Sequence, residues 1–171
     1  MNKIIKMVLK RIFAYGIDYV IIMIYAGILF LISYGIHSIN NLPIEVQEPI
    51  TGNIISFLSL TLPVFMYFFL SESSKKQGTL GKQILKIKVQ NNTTKNIFIR
   101  VFLKILPWEV AHFGVHFMMY YDSLNIEIPL WNWIIIIAPQ VLVLIYFISV
   151  LKTKGKSSLH DRVANTSITS Y

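Results

Sequence analysis

Cysteine is absent from the chain, which excludes disulfide frameworks, thiolate metal centres and cysteine nucleophiles. Charge is scarce as well. Charged residues make up 14% of the 171 residues, against about 25% in an ordinary soluble domain. Negative charge is the scarcer sign, with eight Asp/Glu against sixteen Lys/Arg and a net charge of +8. Apolar residues take their place, at 54%. So basic a chain raises the question of nucleic acid, but no nucleic-acid recognition module accompanies the charge, and none is expected as a partner. Basic residues here flank long apolar runs, the pattern of a protein that crosses a bilayer.

Crossing a bilayer as a helix takes about 20 mostly apolar residues. Four stretches qualify: about 12–36, with the single charge Asp18; 54–70, with Pro63; 97–121; and 130–151, with Pro139 and Gln140. The third is the least apolar, carrying Arg100, Lys104, Glu109, His112 and His116. Prolines inside such helices are tolerated because neighbouring helices satisfy the freed carbonyls. A tilted full span is expected for the third stretch; the alternative is an interfacial amphipathic helix ending before Pro107. The first stretch starts with Lys3, Lys6, Lys10 and Arg11 but is too long, and carries an acid, for a cleaved leader; an uncleaved helix is expected.

The basic residues predict orientation. Four open the chain, eight lie from Lys75 to Lys104, and four follow the last span: Lys152, Lys154, Lys156 and Arg162. The connections His37–Asn53 and Asp122–Pro129 hold only acids, Glu45, Glu48, Asp122 and Glu127. Both termini and the loop 71–95 are therefore expected on the cytoplasmic side, their basic groups meeting anionic headgroups, with the aromatics from Tyr120 to Trp133 at the outer interface.

In the loop, Gln77-Gly78-Thr79-Leu80-Gly81-Lys82 lacks the spacing of a phosphate loop. Leu85 to Gln90 alternates apolar and polar residues, which is strand periodicity, and Asn91-Asn92 follows as a turn. The segment 84–90 is predicted to pair with the short β-branched tail, Thr166 to Tyr171, as a small cytoplasmic β-ribbon; two frayed loops are the alternative. The expected fold is thus all-α, a single membrane domain over 1–171 of four transmembrane helices with a β-ribbon on the inner side.

Three segments carry a family resemblance. Lys10-Arg11-Ile12-Phe13-Ala14-Tyr15-Gly16-Ile17-Asp18 is similar to the opening of the RDD family of bacterial membrane proteins, with an arginine at the start of the first helix and an aspartate within it. Thr79-Leu80-Gly81-Lys82, running into Ile87-Lys88-Val89, resembles that family's T-x-G-K stretch and following strand. Leu159-His160-Asp161-Arg162-Val163-Ala164-Asn165-Thr166 resembles its C-terminal L-H-D-R-x-A-x-T stretch. Asn165 stands where glycine is common, a replacement that suits a left-handed backbone, and Gln83 stands where a basic residue is usual. The resemblance implies the bacterial cytoplasmic membrane and, for some members, cation–proton exchange.

The residues of these motifs, Arg11, Asp18, Gly81, Lys82, His160, Asp161 and Arg162, form either an ion or proton path or a structural latch. Arg11 and Asp18 share a helix face but lie about 10 Å apart along the axis, too far to pair. An intramembrane Asp18 requires compensation: protonation, a capping role, or a basic partner such as Lys82, Arg100, Lys104 or Arg162. Asp161 is expected to cap a helix or turn, or to pair with Arg162 or Arg11. Glu109, His112 and His116 share one helix face through spacings of three and four. Counted from Arg11 and Arg100, Asp18 and Glu109 fall at similar depth, so a shared proton or cation is conceivable. Their alternatives are neutralisation of Glu109 by Lys104 with local hydrogen bonds to the histidines, or a metal site, which would need a further ligand. No cofactor is implied, and no catalytic constellation points to an enzyme.

Two functions remain from the sequence: a small exchanger of protons and monovalent cations working as an oligomer or with a membrane partner, or a non-transporting module that regulates another membrane protein through its loop and tail.

Overall fold

The computed structural model describes residues 3–41 and 46–171 of the chain. Helix α1 (Lys3–Ile39) is followed by α2 (Pro49–Ser56), a π-helical turn (Phe57–Thr61) and α3 (Leu62–Ser73), which run on as one rod. A short α4 (Leu80–Ile84) and strand β1 (Ile87–Gln90) lead into α5 (Thr94–Ser123), then α6 (Leu130–Lys152), a short α7 (Leu159–Val163) and β2 (Ser167–Ser170). Each expected span thus lies within a helix. By length and composition, three are apolar enough to cross a membrane: Ile5–Ile39, Pro49–Ser73 and Leu130–Lys152. The remaining expected span lies in α5, one unbroken helix through Pro107. Glu45, read as an outer-side acid, lies outside the described residues.

Two of the helix prolines have their freed carbonyls satisfied from a neighbouring helix. Pro107 has no N–H for the Leu103 carbonyl, and Tyr146 Oη donates to it at 3.0 Å. Pro63 likewise frees Ser59 within the π-helical turn, where Tyr25 Oη donates at 2.7 Å. These tyrosines tie α6 to α5 and α1 to the second rod.

The ribbon forms, but it begins later than expected. Ile84 ends α4, Leu85 caps it, and Lys86 takes a left-handed backbone (φ 54°), so pairing starts at Ile87. The strands are antiparallel, with Ile87 opposite Ser170 and Gln90 opposite Ser167. A two-stranded ribbon alone is marginal. This one buries Ile87, Val89 and Ile168 against Ile97, Val101 and Ile105 of α5, with Ala14 and Phe68. Asn165 does adopt the left-handed conformation (φ 52°), and the Thr166 amide closes back on the Asp161 carbonyl at 2.8 Å, ending α7.

The side-chain distribution is inverted relative to a soluble protein. The largest fully buried side chain is Arg100, and Asp18, Glu72 and Asp161 are at most 1% exposed. Val20, Ile24 and Leu31 of α1 and Ile134, Leu144 and Ile148 of α6 face outward. Water would penalise such a surface, whereas lipid solvates it.

Candidate functional site

The buried ionisable residues lie at one end of the bundle, where α4, α7 and the ribbon close over the helices. Asp161 is the hub. It sits at the third position of α7 in a capping box: Ser158 Oγ accepts from the Asp161 amide at 3.3 Å, and Asp161 Oδ2 accepts from the Ser158 amide at 2.8 Å. The same carboxylate accepts from Arg11 Nη2 at 2.8 Å and from Arg100 Nη1. Arg100 also donates Nε to Glu72 at 2.7 Å and Nη1 to Thr166 Oγ1 at 3.2 Å. Glu72 takes Lys82 as its second cation. The result is one buried chain of ion pairs, Arg11–Asp161–Arg100–Glu72–Lys82, joining α1, α3, α4, α5 and α7.

Asp18 lies beside this chain but takes no ion-pair partner among the described residues. Its oxygens accept from Thr79 Oγ1 at 2.6 Å, Tyr67 Oη at 2.9 Å and the Gly81 amide at 3.0 Å. Such bonds to a charged acceptor are stronger than neutral ones. Tyr67 Oη in turn accepts from the Leu80 amide at 3.2 Å. The approach of α4 to α1 requires glycine at 81, since a Cβ there would overlap the Ala14 carbonyl oxygen. At the opposite flank, Arg11 donates to the Gly155 carbonyl at 3.3 Å. Gly155 has φ +81°, and a Cβ would stand 2.9 Å from the Val8 amide nitrogen, so only glycine lets the end of α6 cross α1 there.

Several expectations need correction. The basic partners weighed for Asp18 go elsewhere: Lys82 to Glu72, Arg100 to Glu72 and Asp161. Arg162 is exposed; one residue beyond Asp161, it is turned about 100° away around α7. Lys104 does not neutralise Glu109, because a spacing of five puts them on different faces of α5. Glu109 instead accepts from Thr61 Oγ1 at 2.6 Å and Asn53 Nδ2 at 3.3 Å. Nor do the two acids share a layer. Their partners Tyr67 and Thr61 are six residues apart on one rod, about 9 Å. Counting from the arginines failed because two long guanidinium stems converge on one carboxylate from different heights.

His116 bonds through Nε2 to Ser56 Oγ at 2.8 Å, and its ring lies 5.0 Å from that of His112. Among the described residues no cluster has the geometry to hold a metal ion. Glu72 escaped the sequence reading, although it is the single acid among the eight Lys/Arg of the 71–104 stretch, and that imbalance was the available signal.

His160 is 4% exposed, with its ring against Tyr146 and Nε2 3.3 Å from Asp161 Oδ1 without hydrogen-bond geometry. Burial, then the charges of Arg100, Lys104 and Arg11, hold its pKa well below the ordinary 6.5; Glu72 opposes them weakly. The unfolded ring binds a proton near pH 6.5 and the folded ring does not. Stability is therefore full above that pH and falls as the pH drops below it. Thermal unfolding in detergent is expected to show a midpoint that declines from pH 7 to pH 5 less steeply in His160→Gln than in the parent, both keeping His112 and His116.

Apolar helices long enough for a bilayer, closed at one end over a buried ion-pair chain, define a helical membrane protein. Residues 6–165 match the RDD family, and the chain belongs to that family. No functionally curated protein and no solved structure matches it.

Proposed function

We propose that the chain spans the bacterial cytoplasmic membrane four times, with both termini inside, and carries protons or monovalent cations, with Glu109 as the titrating group. The observation that supports this is the partner set of Glu109. Its bonds come from neutral donors, Thr61 and Asn53. A carboxylate held this way can exchange a proton or a cation without breaking an ion pair. Asp18 is held by neutral donors as well, but its bonds to Thr79 and Gly81 fasten α1 to α4. Arg100, Lys104, Glu109, His112 and His116 follow one another along α5 over about 24 Å, and Asn53, Ser56 and Thr61 come from the facing rod. Intramembrane ionisable groups of this kind commonly mark ion pathways. Four helices make a thin pathway, so a homo-oligomer or a partner subunit belongs to this proposal.

Flux of protons and of sodium or potassium in liposomes holding only the purified protein tests it. Flux above empty liposomes that disappears in Glu109→Gln, with the variant folded and inserted, is the expected result. No flux from folded, inserted protein would instead favour the non-transporting module, which the closed unit of loop, tail and ribbon supports as a docking surface. The cysteine-free chain suits a topology test. A single cysteine at Lys76 is expected to react with a membrane-impermeant thiol reagent only from the cytoplasmic side, and one at Asn125 only from outside.

A further inference from the structure

Lys104 is the cation that the ion-pair chain leaves out. Arg11, Lys82 and Arg100 each hold a carboxylate of Asp161 or Glu72, and the oxygens of Asp18 are committed to hydroxyl and amide donors. The residue is partly exposed along its stem, yet its ammonium nitrogen is buried and has no hydrogen-bond partner. It rests over the Phe68 ring, 3.1 Å from the centroid, and 5.0 Å from that of Tyr15. Aromatic faces attract a cation but do not replace a counter-ion. Among the described residues, four buried basic side chains thus meet three acidic ones at this end of the bundle, and Lys104 is the one left without a carboxylate.

Beside it opens a cavity of about 490 Å³ between α1, α5 and the second rod. The cavity lies between two ties of α1, the α4 contact near Gly81 and the Tyr25–Ser59 bond. From Tyr15, Lys104 and Phe68 it extends along Tyr19, Ile22, Leu60 and Val64 to Trp108. On α1 that distance is about 10 Å. Its walls are almost wholly apolar away from Lys104 and Asp18, and its volume falls in the range of small-ligand sites, about 300–1,000 Å³.

We propose that this cavity binds a single-chain anionic amphiphile, a long-chain carboxylate. Its head sits on Lys104 and its chain lies along Tyr19, Ile22, Leu60 and Val64. The polarity fits a lipid of the adjacent leaflet: the cation stands at the charged end of the bundle and the apolar walls run from it toward the middle. The carboxylate supplies the counter-ion that the protein itself does not provide. The volume suits one chain rather than the two of a phospholipid. The proposal is independent of whether Glu109 carries ions.

Trp108 lines the cavity and serves as the probe. With Trp131→Phe and Trp133→Phe, bromine-substituted palmitate is titrated into the detergent-solubilised protein and Trp108 fluorescence is read. Saturable quenching, reversed by plain palmitate, is expected. In Lys104→Gln the affinity should fall about tenfold or more, as for loss of a charge-assisted hydrogen bond. Val64→Phe, which keeps Lys104 but fills the cavity, should abolish the quenching, so the result does not hang on one variant's folding. The brominated methyl ester, which lacks the charge, should bind as weakly as palmitate does to Lys104→Gln. Quenching that never saturates, or that is equal for acid and ester, would overturn the proposal and leave general partitioning of chains against the helices. Quenching unchanged in both variants would overturn it as well.

Discussion

Arg100→Met is expected to cost about 3–5 kcal/mol, the penalty of stranding buried charges, and this is the largest single effect in the molecule. The arginine is fully buried and, among the described residues, is the only group that bridges Glu72 to Asp161. Without it, Glu72 keeps Lys82 and Asp161 keeps Arg11, but each buried carboxylate retains an oxygen that lost its donor. A folded protein has about 5–15 kcal/mol in total, so the variant should accumulate poorly and lose its thermal transition in detergent. Arg100→Lys should recover little, because one ammonium cannot reproduce the two-sided fork of a guanidinium. Glu72→Met placed on top of Arg100→Met should restore part of the loss by removing one stranded carboxylate. A double-mutant cycle in thermal or denaturant unfolding reads that coupling directly. A cycle with no coupling would mean that the ion pairs contribute independently.

Gly81→Ala carries the second large effect. The added methyl overlaps the Ala14 carbonyl oxygen, which is backbone and cannot turn aside. Helix α4 must withdraw from α1, and the Gly81 amide and Thr79 hydroxyl withdraw from Asp18 with it. Overpacking alone costs about 1–3 kcal/mol, and donors lost by a buried carboxylate add to it. Gly16→Ala on α1 is the matched control. A Cβ there meets nothing within 4 Å, and alanine is the better helix former by about 0.8–1 kcal/mol. Gly81→Ala should lower the unfolding midpoint sharply, while Gly16→Ala should leave it level or raise it.

How much of this was readable in the sequence differs by residue. The long helices were legible because each is a run of mostly apolar residues longer than any strand, and Pro63 and Pro107 fell where a neighbouring helix satisfies the freed carbonyl. The ribbon was legible in the alternation of Ile87, Lys88, Val89 and Gln90, though not its starting point: Ile84 and Leu85 fit the same alternation yet end a helix. Asn165 was legible as a left-handed residue from its chemistry. Glu72 was not. At the end of an apolar helix and among serines it looks like a solvated terminus, and only the fold brings it to Arg100. The depth match between Asp18 and Glu109 was read and was wrong, because counting residues along two helices assumes a common origin.

By itself, then, the sequence determined that the chain is a helical membrane protein and where its long helices lie, and it singled out Arg11, Asp18, Gly81, Lys82, His160, Asp161 and Arg162 as candidates. Those properties are written in spacing along one chain, where periodicity and hydropathy act locally. Tertiary structure decided who pairs with whom: of the two partners expected for Asp161, Arg11 takes it and Arg162 does not. Arg11 reaches Asp161 across 150 residues and Lys82 reaches Glu72 across 10, and no rule of spacing connects them. It also decided that Lys104 is left without a carboxylate beside a cavity. That follows from how three helices fail to close against one another, a matter of shape that depends on all of their side chains at once.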